Sequence, residues 1–318
     1  MRRSCPSPGA ASPSSSAEEA AIRALLKRTA ERALVAGGAA TLARLLRRRT
    51  LVLAYHNVVP AGESAGGDRS LHIAQVRFGA HLDALAETHD VVPLGEVLSA
   101  PGGRPRAAIT FDDGYAGALS AGVAELARRG LPATFFIVPG FLEARTFWWD
   151  ELADPRSGEV PAPVRAHALE ALAGRHEAVL SWAAAEGLPR RTPAPAERTV
   201  TAAQLAAAAR VPGVTLACHT WSHPNLARLG PGERERELGE ARDWLSARFP
   251  GALPWLSYPY GRWNAAARDA VVRAGFAAAL RVEGGALPRV PRDPFALPRL
   301  NVPAGLSPEG FLLRISGL

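Results

Sequence analysis

The chain has 318 residues, 47% of them hydrophobic, enough to fill a large core and to exclude a fibrous or wholly disordered protein. It carries 37 Lys/Arg against 30 Asp/Glu, yet residues 1–50 alone hold ten basic and three acidic side chains, which is the whole of the +7 net charge. From Thr50 onward the chain is neutral, so its basic pI does not mark a nucleic-acid-binding domain, and no apolar run reaches the roughly 18 to 20 residues that span a bilayer.

Residues 1–17 are rich in Ser, Pro, Gly and Ala and are expected to be a disordered tail. In residues 18–49, Ile22, Leu25, Leu26, Ala30, Ala33 and Leu34 recur at helical spacing, and so do Leu42, Leu45 and Leu46 before Arg47–Arg49. This predicts a basic amphipathic helical segment that either covers the rest of the chain or contacts an anionic membrane or a partner. The start, "MRRSCPSPGAASPSSS", lacks the apolar core of a secretory signal, so a cytoplasmic or peripheral membrane location is the expectation. The cysteines, Cys5 and Cys218, are too far apart in sequence and setting to suggest a structural disulfide.

From residue 50 onward short β-type runs alternate with helical stretches. The runs are "LVLAY" at 51, "DVVPL" at 90, "AAITF" at 107, "ATFFIV" at 133, "VTLAC" at 214, "WLSYP" at 255, "FAAAL" at 276 and "ALPRLNV" at 296; helices are expected over 75–87, 116–129, 231–248 and 264–274. Seven or eight such repeats predict an α/β fold, a parallel sheet closed into a (β/α) barrel or a distorted relative of one, over 50–318. Residues 141–212 are too long for one crossover and read as a helical insertion, opened by the aromatic "TFWWDEL".

Three stretches carry chemistry at the ends of these runs. In "ITFDDGY", strand alternation lets Asp112 and Asp113 diverge, and Gly114 permits a sharp exit. In "CHTWSH", His219 and His223 stand four apart and can converge on one ion together with a carboxylate from another strand end; Cys218 before them points into the core. In "LSYPYGRWN" a Pro-Tyr-Gly turn fixes the Tyr260 amide, which can face a developing oxyanion. Each alone also reads as an ordinary turn or cap.

Taken together, "TFDDG", "HTWSH" and "YPYG", in this order and spacing, resemble the polysaccharide deacetylase family (NodB homology, carbohydrate esterase family 4), with "FWWDEL" similar to its biofilm-polysaccharide branch. The resemblance spans residues 50–303 and implies a barrel of the glycoside hydrolase/deacetylase type. It implies a hydrolase removing N-acetyl groups from amino sugars of a polysaccharide, oligosaccharide or lipid-linked glycan. Asp112 is implied as general base, and Asp113, His219 and His223 as ligands of a divalent metal, zinc first, with cobalt, nickel or manganese as alternatives. The common C-terminal catalytic histidine is absent, since no histidine follows His223, and the "YH" of "LAYHNVV" makes His56 the expected general acid. The arginine common before the Pro-Tyr turn is replaced here by Ser257 and Tyr258, and Arg299 of "ALPRLNV" is expected to pair with Asp112 instead. Trp149, with Trp148, Trp221 and Trp263, is expected along a sugar groove. Rival readings are deformylation of a lipid-linked amino sugar and a non-catalytic glycan-binding module.

Overall fold

The structure, a computed structural model, describes residues 13–47, 49–99 and 103–318, and divides into two compact units. The larger, Arg48–Pro308, holds all ten strands: β1 (Leu51–Tyr55), β2 (Asn57–Val59), β3 (His72–Ala74), β4 (Asp90–Val91), β5 (Arg106–Phe111), β6 (Ala133–Ile137), β7 (Val214–Cys218), β8 (Trp255–Ser257), β9 (Ala278–Gly284) and β10 (Leu297–Asn301). Seven of them form a parallel ring in the order β1-β10-β9-β8-β7-β6-β5, closed by β1 pairing with β5 from Leu51↔Ala107 to Tyr55↔Phe111. The "DVVPL" run gives only the two-residue β4, which pairs with β5 at Asp90↔Arg106 and Val91↔Ala107 and lies outside the ring. Strands β2 and β3, which the apolar pattern does not announce, form a separate parallel pair.

The helices are α1 (Pro13–Ala36), α2 (Ala39–Arg47), α3 (Gln75–Thr88), α4 (Val123–Arg129), α5 (Trp148–Glu151), α6 (Ala162–Glu170), α7 (His176–Ala185), α8 (Ala202–Ala208), α9 (Pro231–Arg248), α10 (Ala265–Arg273) and α11 (Pro308–Ser316). Helices α5 to α8 fill the segment between β6 and β7, where the insertion is expected. The smaller unit consists of α1, α2 and Glu309–Leu318. The expected tail is shorter than 1–17, because Pro13–Ala17 already belong to α1; the rest of that expectation lies outside the described residues. No helix among the described residues is long and apolar enough to cross a membrane.

The barrel interior takes apolar side chains from every strand of the ring: Val52, Ala108, Phe136, Ala217, Trp255, Leu280 and Leu297 pack in one buried cluster. Parallel strands covered on both sides read as continuous apolar runs, which explains "LVLAY" and "ATFFI". Because side chains alternate, counting in twos from this cluster leads to the polar groups at the strands' C-terminal ends. Ala108 leads to Thr110 and Asp112, Leu297 to Arg299 and Asn301, Trp255 to Ser257, Val52 to His56, and Ala217 to His219. The packed core and the polar end are therefore successive layers of one interior.

Candidate metal and hydrolase site

Asp112 and Asp113 follow β5 directly. Asp112 N–H bonds the Tyr55 carbonyl at 3.0 Å, so the β1–β5 ladder still holds this residue in the interior. Asp113 has φ 74°, a left-handed conformation unusual outside glycine, and Gly114 follows at the same φ. The two carboxylates are thus separated by a left-handed turn rather than by strand alternation, which is the physical reason this part of the expectation changes.

The Asp113 carboxylate stands 3.4 Å from His219 Nε2 and 3.3 Å from His223 Nε2, and the two Nε2 atoms are 3.1 Å apart. All three residues are buried, with their ligand atoms within 4.8 Å of one another. The histidines converge through a loop, not a helical turn: Thr220 and His223 both have positive φ, 66° and 60°. Glu237 on α9 pins the loop by accepting from Trp221 N (3.0 Å), Ser222 N (2.8 Å) and Ser222 Oγ (2.5 Å).

His219 Nδ1 lies 2.8 Å from the Ser257 carbonyl, which can only accept, so the proton sits on Nδ1 and a neutral ring offers Nε2 as a lone pair. His223 is set by ring packing instead, with Tyr260 at 4.5 Å and Trp149 at 4.9 Å, and its buried Nδ1 has no hydrogen-bond partner. Two imidazole nitrogens and a carboxylate oxygen that face one another are poorly satisfied by each other and well satisfied by a cation. The residues present therefore fit a divalent metal of the two-histidine, one-carboxylate type.

A proton held on the histidines can take the cation's place. Burial alone would raise Asp113, but the hydrogen bonds from His219 and His223 hold it far below the usual carboxylate range. His219 is raised, since Asp112 and Asp113 outweigh its burial, whereas burial and the charge of His219 lower His223.

Asp112 faces a different partner. Burial would raise its carboxyl, yet the fully buried Arg299 holds it down at about 2. The guanidinium is bidentate, Nη1 to Oδ1 at 2.8 Å and Nη2 to Oδ2 at 2.6 Å. Arg299 also donates to Thr110 Oγ1 (3.1 Å), Ser257 Oγ (2.8 Å) and the Arg281 carbonyl (2.8 Å). Ser257 Oγ itself donates to Asp112 Oδ2 at 3.0 Å. A serine on β8 leaves the interior open to an arginine arriving from β10, which accounts for the departure in the third motif.

These groups open on a cavity of about 280 Å³ lined by His56, Asp112, Asp113, Trp149, His219, His223, Tyr260 and Asn301, among others. His56 follows β1 and Asn301 ends β10, and these strands pair at Ala54↔Asn301, so both residues line the same cavity. Tyr260, at φ 57°, sits in the Pro259–Gly261 turn with its ring against His223. Of the four tryptophans expected along a groove, only Trp149 lines this cavity. It is buried, stacked on Phe147 at 4.3 Å and at right angles to Tyr260, so Phe147 covers one of its faces. Trp148 is buried and donates to Tyr260 Oη, and Trp263 stacks on Tyr258. Trp221 lines a larger cavity, about 640 Å³, behind the histidine loop, which holds none of these charged groups. Cys218 is buried, as expected, with its thiol pushed up to about 12.

Sequence reasoning missed the bonds of Ser257 to Asp112 and Arg299 and a buried network behind Trp149. Trp149 Nε1 donates to Tyr115 Oη (2.8 Å), Tyr115 Oη donates to Asp150 Oδ2 (2.6 Å), and His72 Nε2 meets Asp150 Oδ1 at 2.8 Å. The acid beside two tryptophans in "FWWDEL" is its one visible signal.

Comparison with known proteins matches the family model described as polysaccharide deacetylase over residues 99–279. The chain belongs to the polysaccharide deacetylase family. Members of this family are hydrolases acting on carbon–nitrogen bonds of glycans. The matched stretch contains Asp112, Asp113, His219, His223 and Tyr260 but neither His56 nor Arg299, the two residues by which this chain departs from the commonest pattern. Among curated proteins, YxkH of Bacillus subtilis (strain 168) is 28% identical over 99 residues, 31% of this chain and 35% of its own length. Among solved structures, the Streptococcus pyogenes deacetylase PplD in complex with acetate aligns with a TM-score of 0.58 at 17% identity, covering 84% of this chain and 98% of that one. IcaB from Ammonifex degensii aligns with a TM-score of 0.58 at 16% identity, covering 84% and 97%. At these identities the structural likeness concerns the fold, a deacetylase-type (β/α) barrel.

Proposed function

We propose that this protein is a metal-dependent deacetylase that hydrolyses the N-acetyl groups of amino sugars in a polysaccharide, oligosaccharide or lipid-linked glycan. One observation carries the reading: a buried two-histidine, one-carboxylate set shares a cavity with a second carboxylate that a buried guanidinium keeps ionised. Asp113, His219 and His223 would hold the cation, zinc first and cobalt, nickel or manganese as alternatives, and such an ion acidifies a water and polarises an acyl carbonyl.

Asp112, kept out of the ligand set by Arg299 and Ser257, takes the proton of the attacking water. As the new C–O bond forms, charge develops on the acetamide oxygen, and the Tyr260 amide is the donor offered to it. Breaking the C–N bond requires a proton on the departing amine, and His56 on the same cavity wall supplies it, so acetate and a free amino sugar result. Trp149 limits the space around the acetyl group. A glycan is the partner this reading requires.

Acetate release from acetylated chito-oligosaccharides, with and without chelator, tests it. The reading expects release that chelation abolishes and added zinc restores; release indifferent to chelator, or none with any of these metals, contradicts it.

A further inference from the structure

The two N-terminal helices bury and expose the wrong residues for a soluble cover. In α2, Ala40 and Ala43 are buried and Arg44 half-buried, while Leu42, Leu45 and Leu46 project from the opposite side, with Leu45 69% and Leu46 76% exposed. In α1 the pattern repeats: Glu31 is buried, and Ile22, Leu25 and Leu26, spaced i, i+3, i+4, stand in solvent. An amphipathic helix serving its own core turns its leucines inward. Here both helices keep them outside, and these six residues are half of the large exposed hydrophobics among the described residues.

The same two helices carry basic side chains. Arg28 is exposed, Lys27 is 71% and Arg32 73% exposed at the side chain although they pair with Glu31 (3.8 Å) and Glu309 (3.4 Å), Arg47 is exposed and donates to the Gly317 carbonyl, and residues 1–50 hold all of the chain's net positive charge. A second copy docking here would set like charges against each other. An anionic lipid surface would receive the aliphatic stripe between acyl chains and the cations among its headgroups.

We propose that α1 and α2 form an in-plane anchor that docks this enzyme on an anionic bilayer through Ile22, Leu25, Leu26, Leu42, Leu45 and Leu46. The consequence that its amino-sugar substrate is met at a bilayer, lipid-linked or membrane-retained, rests on the deacetylase reading; the docking does not.

Co-sedimentation of the full chain with vesicles tests the docking without any turnover. Vesicles of phosphatidylcholine mixed with phosphatidylglycerol should bind it at least about tenfold more tightly than phosphatidylcholine alone, and added salt should erase the difference. L42S/L45S/L46S should lower partition by about tenfold or more, and K27Q/R28Q should flatten the salt dependence. The serine replacements lie on exposed positions, so the variant should keep the helical circular dichroism and unfolding midpoint of the parent, which reports that it is folded. Absent binding, equal binding to both vesicle types, or unchanged binding of the folded serine variant overturns the proposal. So does a stable dimer in solution that the serine variant dissociates, since a second copy would then cover the face.

Discussion

One wall of the cavity is made by strand ends and the other by the segment between β6 and β7, and the two hold their polar groups by different means. On the strand-end wall, Asp112, Arg299, Ser257 and His219 are fixed by barrel closure: each continues an alternation that begins in the apolar interior, and their partners come from neighbouring strands. On the other wall, Trp149 is fixed by a chain of long-range bonds through Tyr115 to Asp150, which also takes His72 Nε2 and the Asp68 amide at 3.0 Å. Gly67 makes that chain fit, because a Cβ there would lie 2.3 Å from Asp150 Oδ1. The first wall arranges charge for chemistry and inherits its geometry from the fold. The second shapes the space and must be tied down separately.

Arg299→Ala breaks the strand-end wall most severely. It leaves Asp112 charged, buried and without its cation, so stability should fall by about 3–5 kcal/mol, read from the denaturant midpoint, together with most of the turnover. A loss within about 0.5 kcal/mol would mean that the pair is not buried as described.

The insertion wall should respond more mildly, and to pH. Burial would lower His72, but the charge and hydrogen bond of Asp150 prevail and raise it above its ordinary 6.5. A raised folded pKa contributes stability that is fully present below about pH 6.5 and is lost as pH climbs through the folded value, with a slope of at most about 1.4 kcal/mol per pH unit. His72→Gln should remove that alkaline decline in thermal unfolding midpoints while leaving metal content unchanged. An identical pH slope in parent and variant would detach His72 from Asp150.

The strand-end wall was the legible one. Its acids and histidines sit at the ends of apolar runs, so the apolar pattern placed Asp112 and His219 at strand ends, and the family resemblance supplied the pairing of Asp112 with Arg299. The reason Asp113 parts from Asp112 was misjudged, because a left-handed φ at a non-glycine residue leaves no mark in the apolar pattern. Ser257 was noted only as a departure from the family pattern, because its value lies in its smallness, visible only when Arg299 is seen to fill the space. The network behind Trp149 joins residues up to 82 apart, Asp68 with Asp150, and no local spacing reports such a bond. Within residues 18–49 the structure has α1 and α2, but which side of each helix faces solvent is a tertiary fact.

Metal content and acetate release, measured on the same purified preparations of three variants, test the division of labour most directly. Asp112→Asn and His56→Ala should keep the metal of the parent and lose turnover by about 10²-fold or more, while Asp113→Ala should lose both metal and turnover. An Asp112→Asn protein that arrives metal-free, or a His56→Ala protein that turns over normally, would contradict the assignment of these residues to base, acid and ligand.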